Sequence, residues 1–361
     1  MERRVTLGRM DSLLKDWDGE TVIVRHDKPS GAWIFIAVHS TRLGPAAGGT
    51  RMKAYPDVQA ALLDALRLSE GMTFKFAASG MPFGGAKAVV AMPGNLERES
   101  RTALLHRYGA LIRQLGGLFR TGPDVGTTPD DMDVIATTGA PYIVSRTVGA
   151  GGAGDPGPLT ARGVFTGIKL LCGRLFGVES VLNRTVLVQG AGDVGGSLIG
   201  MLREAGAEVQ FSEVNDGLIR TFRDELGLRY VHPSATYSTE CDIFAPCALG
   251  AVLNAETIPR LKCRAVAGSA NNQLETQEDA ERLRAMGILY APDYVINAGG
   301  VIGVLGMELQ GWTREKADGE VVANIRRNLD QIFESAAAEG VTTDAAARKL
   351  ADSRLFGAVS R

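Results

Sequence analysis

Hydrophobic and polar residues alternate with a period of two near the start of the chain. The alternation covers residues 21–26 and 33–38, which are predicted to form two strands joined by a short turn. From Asp57 onward the apolar positions recur at helical spacing, which predicts a helix that Asp57 caps and that continues towards Gly80. The first part of the chain therefore predicts a mixture of strands and helices.

Glycine-rich segments divide the middle of the chain. A predicted turn at 83–87 leads into an apolar strand at 88–92. The segment 148–158 is dense in glycine and proline, which is typical of a junction between domains. Since a domain has roughly 150 residues, a chain of 361 residues is expected to form two.

After this junction the pattern predicts a βαβ unit. A helix at 159–176 is followed by a strand at 185–189, a helix at 196–205 and a strand at 208–212. Further short strands, alternating with helical segments, are predicted at 243–244, 265–267 and 288–290. Such alternation predicts a parallel sheet. The apolar spacing over 321–333 predicts a long amphipathic helix.

Composition and charge exclude several classes of function. A formal net charge of −2 provides no basic surface for nucleic acid or for an anionic membrane. No apolar run approaches the ~20 residues that span a bilayer, and the N-terminus lacks the apolar stretch of a secretory signal, so a cytoplasmic location is expected. The four cysteines and four histidines are scattered without metal-ligand spacing, so no metal site is expected.

A glycine motif opens the helix of the βαβ unit. Gly190 permits a tight turn, Gly192 lets a pyrophosphate approach the backbone, and Gly195 lets the helix pack closely on the strand. The N–H groups and dipole of the first helical turn, at Asp193 and Val194, are expected to bind phosphate. The preceding strand and the following helix make a dinucleotide site the favoured interpretation over a turn without a ligand.

Glu213, at the end of the second strand of this unit, indicates which dinucleotide binds. Its carboxylate can accept hydrogen bonds from the ribose hydroxyls and would repel a 2′-phosphate. The residues after it, 214–216, include no arginine to bind such a phosphate. NAD is therefore the expected cofactor, rather than NADP.

Three ionisable residues in the first part of the chain are candidates for catalysis. Lys75 lies in an otherwise apolar helical segment, and Lys87 precedes an apolar strand. Partial burial lowers the pKa of a lysine and allows it to act as a base. Asp124 lies in a Gly-Pro-Asp segment, where a role in a turn or a helix cap is the alternative. Spacing alone leaves both interpretations open for all three residues.

A series of motifs in this chain resembles the glutamate/leucine/phenylalanine/valine dehydrogenase family. The resemblance extends over roughly residues 17 to 350. Within it, segments 151–154 and 311–312 are similar to those of actinobacterial phenylalanine dehydrogenases. The motifs that carry the family resemblance are Lys75 and the segments 43–51, 84–87, 122–127, 190–195, 244–248, 267–272 and 290–300.

The resemblance implies roles for the residues that would bind and transform the substrate. Lys75 is expected to pair with the substrate carboxylate, assisted by the backbone N–H groups of Gly48 and Gly49. Lys87 is expected to act as a general base on water, and Asp124 to exchange protons with the substrate nitrogen. The resemblance thus implies oxidative deamination of an amino acid to its 2-oxo acid and ammonia.

The same resemblance extends to the second domain. The Asn272 side chain is expected to contact the substrate amino group, and Thr160 the nicotinamide amide. Further cofactor contacts are expected at Ala245, Cys247 and Asn271, and the apolar context of Cys247 also predicts a buried, unreactive thiol.

The residues expected to line the side-chain pocket are all apolar. Ala47 and Gly122 are small and favour an aromatic substrate such as phenylalanine, whereas Val301 and Val304 resemble the branched-chain enzymes. Leucine or valine is therefore the second expectation, and tryptophan remains open. The absence of a lysine or serine for a second carboxylate disfavours glutamate. One departure from the family is Ala86, which stands where the family usually has a third glycine before the catalytic lysine.

Two α/β domains with a cleft between them follow from the resemblance. Residues 1–145 are expected to form the substrate and oligomerisation domain, and residues 146–330 a Rossmann-type NAD domain. The C-terminal helix, 331–361, is able to return to the first domain. The expected partners are a small amino acid or 2-oxo acid and further copies of the chain.

Two other functions remain as alternatives. A 2-hydroxyacid dehydrogenase would rely on a catalytic histidine, and no histidine of this chain lies in a comparable motif. An inactive NAD-binding sensor would have no need of Lys75, Lys87 and Asp124.

Overall fold

A computed structural model of the chain describes residues 7–357. Its contacts divide the chain into two compact units: residues up to Asp155 together with those from Arg354 onward, and Pro156–Ser353. The division lies later in the chain than the expected boundary after 145, and residues 331–353 group with the second unit. The part of the prediction beyond residue 357 lies outside the described residues.

The first unit is a five-stranded sheet with helices. Its strand order is β1-β2-β4-β3-β5, with β2 antiparallel to both β1 and β4, and β3 parallel to both β4 and β5. The strands are β1 (Thr21–Asp27), β2 (Ala32–Ser40), β3 (Ala46–Ala54), β4 (Gly84–Met92) and β5 (Phe119–Pro123), and the helices are α1 (Leu7–Trp17), α2 (Val58–Ser79), α3 (Arg98–Gln114) and α4 (Pro129–Gly139).

Two apolar clusters cover opposite faces of this sheet. On one face Ala86 and Val90 of β4 pack with residues of α3 and α4. On the other face Val89 packs with Leu62 and Leu66 of α2. Because successive side chains of a strand point to opposite faces, Lys87 is directed to the face that α2 covers.

Helix α2 forms as the sequence predicts. The Asp57 side chain accepts a hydrogen bond from the backbone N–H of Ala60 at 2.7 Å and so caps the first turn. The helix ends at Gly80, whose φ of 66° is the left-handed conformation that glycine adopts readily at a helix end.

The expected turn at 83–87 is wrong, because strand β4 already begins at Gly84. Pairing with β2 extends through this segment, with Ala86 opposite Val38 and Lys87 opposite Ala37. The glycines there serve close packing instead, since a Cβ on Gly85 would lie 2.1 Å from the backbone nitrogen of Thr73 on α2.

The second unit is a six-stranded parallel sheet with helices. Its strand order is β8-β7-β6-β9-β10-β11, which is the order of a Rossmann fold. The chain adds strands on one side of β6 up to β8 and then continues on the other side with β9. The strands are β6 (Thr185–Gln189), β7 (Glu208–Ser212), β8 (Arg229–Tyr230), β9 (Ile243–Pro246), β10 (Ala265–Val266) and β11 (Leu289–Tyr290). The predicted α/β class with a Rossmann-type domain is confirmed.

Eight α-helices begin within the described residues of this unit. The longest, α11, includes the predicted amphipathic segment, and its residues Val321, Ile325 and Leu329 are fully buried. These helices are α5 (Gly157–Phe176), α6 (Asp193–Glu204), α7 (Asp216–Ile219), α8 (Glu278–Ala285), α9 (Asp293–Ile296), α10 (Gly299–Gln310), α11 (Arg314–Glu339) and α12 (Thr343–Gly357). Over residues 7–357, no helix is long and apolar enough to cross a membrane.

Short helices of other types complete the elements. Three are 3₁₀-helices and one is a π-helix: Val148–Ala150, Pro233–Ser238 and Ile258–Arg260 are 3₁₀, and Arg220–Glu225 is π.

Gly85→Ala is expected to destabilise the first unit. The added Cβ would overlap the backbone of α2 at Thr73, and overpacking of this kind costs about 1–3 kcal/mol. Thermal unfolding should therefore show a fall in Tm of several degrees. Gly94→Ala is the matched control, because a Cβ there would meet no atom of residues 7–357 within 4 Å. Equal Tm values for the two variants would contradict this account of the glycine.

Candidate functional site

Gly49 of β3 lies beside Lys87 and Asp124, two of the three charged residues that the sequence singles out. The strand register places it opposite Gly122 of β5 and level with Lys87 of β4. The Lys87 Nζ lies 2.5 Å from the Oδ2 of Asp124, the residue that follows β5. A Cβ on Gly49 would lie 3.2 Å from that Nζ and 2.9 Å from the Asp124 Cβ. The missing side chain therefore leaves the space in which the ion pair forms.

A set of polar contacts holds the Asp124 carboxylate and its loop. Arg51 Nε donates to the other carboxylate oxygen, Oδ1, at 2.7 Å. The backbone N–H of Asp124 donates to the Thr127 hydroxyl at 3.0 Å, and that hydroxyl lies 2.8 Å from the carbonyl oxygen of Thr50, to which it donates. Asp124 is thus fixed at its backbone and at both oxygens.

Two cations keep Asp124 ionised. Burial alone would raise the pKa of its carboxyl, but the positive charges of Lys87 and Arg51 and their hydrogen bonds outweigh burial. The pKa of Asp124 consequently lies well below its usual range. A carboxylate held in this way, hydrogen-bonded to a lysine that is only 5% exposed, can stabilise a positive charge nearby and accept a proton from it.

Other predicted site residues of the first unit lie on the same strands or on α2. Lys75 is a partly exposed residue of α2. At Gly48 a Cβ would overlap the carbonyl oxygen of Ala86, so the close approach of β3 and β4 requires glycine. Ala47 is buried in β3, and Gly122 borders Val144. The small residues therefore lie beside the ion pair or on the strand that carries Gly49.

Ala86 does not crowd Lys87. Its side chain is fully buried and belongs to the apolar cluster on the α3 and α4 side of the sheet. Since Lys87 points to the opposite face, the additional methyl group contributes to the core rather than to the site.

The glycine motif of the second unit forms a tight turn before helix α6. Gly190 has a φ of 92°, and a Cβ on Gly195 would lie 2.0 Å from the carbonyl oxygen of Gly190. At Gly192, by contrast, a Cβ would meet no described atom within 4 Å. Packing within the chain explains Gly190 and Gly195. Gly192 faces open space, which leaves room for a phosphate. Helix α6 begins beside it at Asp193 and Val194, so its free N–H groups face the same space.

Backbone N–H groups bind the Glu213 carboxylate. Ala191 donates to Oε2 at 2.8 Å, while Val214 and Asn215 donate to Oε1 at 2.7 Å and 3.0 Å. Burial alone would raise the pKa of Glu213, but these donors lower it overall. The carboxylate is therefore charged and fixed beside the glycine turn.

The loop after β9 packs against the same turn. The Cys247 N–H donates to the carbonyl oxygen of Gln189 at 2.7 Å, and burial raises the pKa of the Cys247 thiol. Ala245 is fully buried in β9. The strand order reverses between β6 and β9, which is the position where open α/β sheets bind their ligands.

The remaining predicted residues lie elsewhere in the second unit. The Asn297 amide donates to the Asn271 side chain at 3.0 Å, and Asn272 has a φ of 52°. The Thr160 hydroxyl donates to the carbonyl oxygen of Pro156 at 3.0 Å. Val301 and Val304 both lie on α10.

Arg51 and Thr127 both hold Asp124 in place, and neither was predicted from the sequence to have a role. Both lie in segments that carry the family resemblance, and that position is the signal that could have pointed to them.

Neither a metal-binding cluster nor the cavity described below includes these residues. No cluster of metal-binding side chains occurs in the part of the chain that the structure describes. A cavity of about 500 Å³ in the second unit, lined by residues such as Arg284, Tyr290 and Phe333, includes none of the predicted site residues.

Comparison with known proteins assigns the chain to a family. The model for the Glu/Leu/Phe/Val dehydrogenase dimerisation domain matches residues 23–140, and the model for Glutamate/Leucine/Phenylalanine/Valine dehydrogenase matches residues 209–361. Leucine dehydrogenase of Bacillus cereus is 42% identical over 95% of this chain and 92% of its own length. Phenylalanine dehydrogenase of Lysinibacillus sphaericus is 40% identical over 100% of this chain and 95% of its own.

A solved structure agrees with these matches. The crystal structure of L-tryptophan dehydrogenase from Nostoc punctiforme has a TM-score of 0.78 and 40% identity, and the alignment covers 97% of this chain and 100% of the other. The chain therefore belongs to the Glu/Leu/Phe/Val dehydrogenase family, a family of amino-acid dehydrogenases.

Proposed function

We propose that the chain catalyses the reversible, NAD-dependent oxidative deamination of a hydrophobic L-amino acid. The amino acid, water and NAD⁺ give the 2-oxo acid, ammonium, NADH and a proton. The observation that carries the proposal is the buried ion pair of Lys87 and Asp124, 2.5 Å apart beside Gly49. A lysine and a carboxylate within hydrogen-bond reach are suited to take a proton from water and to exchange one with nitrogen.

Each charged residue has one task in this reaction. Lys75 binds the substrate carboxylate, with the N–H groups of Gly48 and Gly49. Lys87, in its neutral amine form, accepts a proton from the water that attacks the imino carbon. Asp124 exchanges protons with the substrate nitrogen, which changes its charge during the reaction, and Asn272 contacts the same nitrogen. The low pKa of Asp124 favours its charged form, which attracts an ammonium group.

NAD is the proposed cofactor of the second unit. The family generally uses a nicotinamide cofactor, which when bound accepts the hydride from the substrate Cα. The open space at Gly192 and the N-terminus of α6 suit its pyrophosphate. Glu213 presents a fixed negative charge, which suits ribose hydroxyls and disfavours a 2′-phosphate. Further contacts are proposed at Thr160, Ala245, Cys247 and Asn271.

The substrate side chain is proposed to be apolar. The small side chains proposed for the pocket, Ala47 and Gly122, favour phenylalanine, while Val301 and Val304 make leucine or valine the second choice. The relatives named above act on leucine, phenylalanine and tryptophan at similar identity to this chain, so they support the hydrophobic class. A homo-oligomer is also proposed, because the first unit matches a dimerisation-domain model.

Lys87→Ala is expected to abolish turnover. Loss of a general base lowers kcat/KM by about 10²–10⁴-fold, which a spectrophotometric assay of NADH formation would measure. Because Arg51 still pairs with Asp124, the variant should fold, and its Tm checks this. Lys28→Ala, at an exposed lysine of the same unit, is the matched control and should retain activity. Retained activity in Lys87→Ala would exclude Lys87 as the base.

A panel of L-amino acids is expected to identify the substrate. Phenylalanine should have the highest kcat/KM, with leucine, valine and tryptophan following, since a misfit of one methylene changes the rate only about 10–200-fold. Glutamate should not be turned over, because none of the proposed pocket residues is a cation. Preferred turnover of glutamate would contradict the proposed pocket, and a highest kcat/KM for leucine would assign the chain to the branched-chain specificity.

Glu213→Gln is expected to weaken NADH binding and to reduce the preference over NADPH. The neutral amide has only one oxygen in place of two charged ones, and removes the repulsion of a 2′-phosphate. A change of about tenfold in the ratio of the two Kd values, equivalent to about 1.4 kcal/mol, is expected in a fluorescence titration. Asp216→Asn, at an exposed carboxylate nearby, should leave the ratio unchanged. Equal affinity of the unmodified protein for both cofactors would refute the role of Glu213.

A further inference from the structure

Arg51 connects two carboxylates that belong to different elements. It lies in β3 two residues after Gly49, and therefore on the same face of the sheet. Its Nε donates to Asp124 Oδ1 at 2.7 Å, and one terminal nitrogen donates to Asp64 Oδ2 at 3.0 Å. The side chains of Arg51, Asp64 and Asp124 are only 13–14% exposed. One guanidinium thus joins the loop after β5 to helix α2.

The distal end of this connection is itself fixed. The Tyr55 hydroxyl donates to Asp64 Oδ2 at 2.6 Å, and Arg67 donates to the other oxygen at 3.3 Å. Burial, together with the hydrogen bond to Asp64, raises the pKa of Tyr55, so its hydroxyl remains a donor. Asp64 is therefore a rigid anchor for Arg51 rather than a mobile counter-ion.

The contacts on Asp124 restrict its rotation. Oδ1 accepts from Arg51 on β3, and Oδ2 accepts from Lys87 on β4. Rotation of the carboxylate about its last bond breaks at least one of these contacts. A planar guanidinium offers several donors in a fixed geometry, whereas a lysine ammonium offers only a point charge.

The anchor lies on the same face of helix α2 as Lys75. Asp64 and Lys75 are eleven positions apart, which is about three turns at 3.6 residues per turn. Both residues therefore project from one side of the helix. Arg51 consequently joins the element that carries Lys75 to the residue that carries the reactive carboxylate.

We propose that Arg51 is a positioning residue which, through Asp64, fixes the Asp124 carboxylate relative to helix α2. This inference rests on the proposed function for the roles of Asp124, Lys87 and Lys75. Arg51 does not touch the substrate. It holds Asp124 in the one orientation in which Oδ2 faces Lys87, and it sets the spacing between that carboxylate and the helix.

Steady-state kinetics over a range of pH test this role. Arg51→Met should lower kcat about 10- to 100-fold with a smaller change in KM, because a small displacement of a reacting group is costly. The acid limb of its kcat/KM profile should move to higher pH, since a carboxylate that has lost one of two cations becomes protonated at higher pH. Arg51→Lys retains the charge but cannot span both carboxylates. Its acid limb should therefore lie close to that of the unmodified protein, whereas its kcat should remain reduced.

Two further variants separate position from charge. Asp64→Asn leaves Arg51 charged beside Asp124 but weakens its anchor, so kcat should fall without an upward shift of the acid limb. Arg107→Met is the matched control, because Arg107 forms a comparable pair with the buried Asp27 through two bonds of 2.7 Å in the same unit. It should lower Tm and leave both kcat and the acid limb unchanged.

Kinetics and a crystal structure each test the role of Arg51, and the second does not require turnover. If Arg51→Met and Asp64→Asn keep kcat and the acid limb of the unmodified protein, as Arg107→Met should, Arg51 has only a structural role. A crystal structure of Arg51→Met, or of Arg51→Lys if that variant alone folds, provides a readout besides activity. An unchanged Asp124 rotamer with its Lys87 contact would overturn the proposal. Absence of turnover in the unmodified protein would instead refute the proposed function, and the crystal structure would still decide the role of Arg51.

Discussion

Burial of charge between a sheet and helix α2 is the constraint on which the first unit depends. A lone ammonium or carboxylate removed from water is strongly unfavourable, and it persists only with partners of opposite charge. Here Lys87, Asp124, Arg51 and Asp64 alternate in sign and are each in contact with the next. The four charges sum to zero, so the group tolerates burial that none of its members could tolerate alone. The space for it exists because Gly49 has no side chain.

The Glu213 carboxylate of the second unit is held differently. Glu213 has no cationic side chain among its described hydrogen-bond donors, which are three backbone N–H groups. Backbone donors fix the direction of a carboxylate without neutralising it, so its negative charge remains effective towards a ligand. The ion-paired group of the first unit is thus compensated in charge, whereas the Glu213 carboxylate of the second unit is not compensated by a cation among its described hydrogen-bond donors.

Local signals in the sequence predicted the elements, and contacts between distant segments determined the rest. The cap at Asp57 and the βαβ unit were predictable because propensity and periodicity act over a few residues. The start of β4 was not predictable, because two successive glycines at 84 and 85 indicate a turn. Only the structure shows that Gly85 is needed where Thr73 of α2 packs closely against β4. The role of Arg51 also depends on Asp64 and Asp124, and no local pattern shows that these three meet. The family resemblance supplied the expected site residues, whereas spacing alone had left Lys75, Lys87 and Asp124 undecided.

The placement of Ala86 has a consequence for how the enzyme could be altered. Adjacent side chains of β4 point to opposite faces of the sheet. Positions 86, 88 and 90 lie in the apolar core, and position 87 lies on the face with the charged group. Evolution or an engineer can therefore vary bulk at the even positions to adjust thermal tolerance, while position 87 is kept for the lysine of the ion pair. A single short strand thus carries two properties that selection can adjust separately.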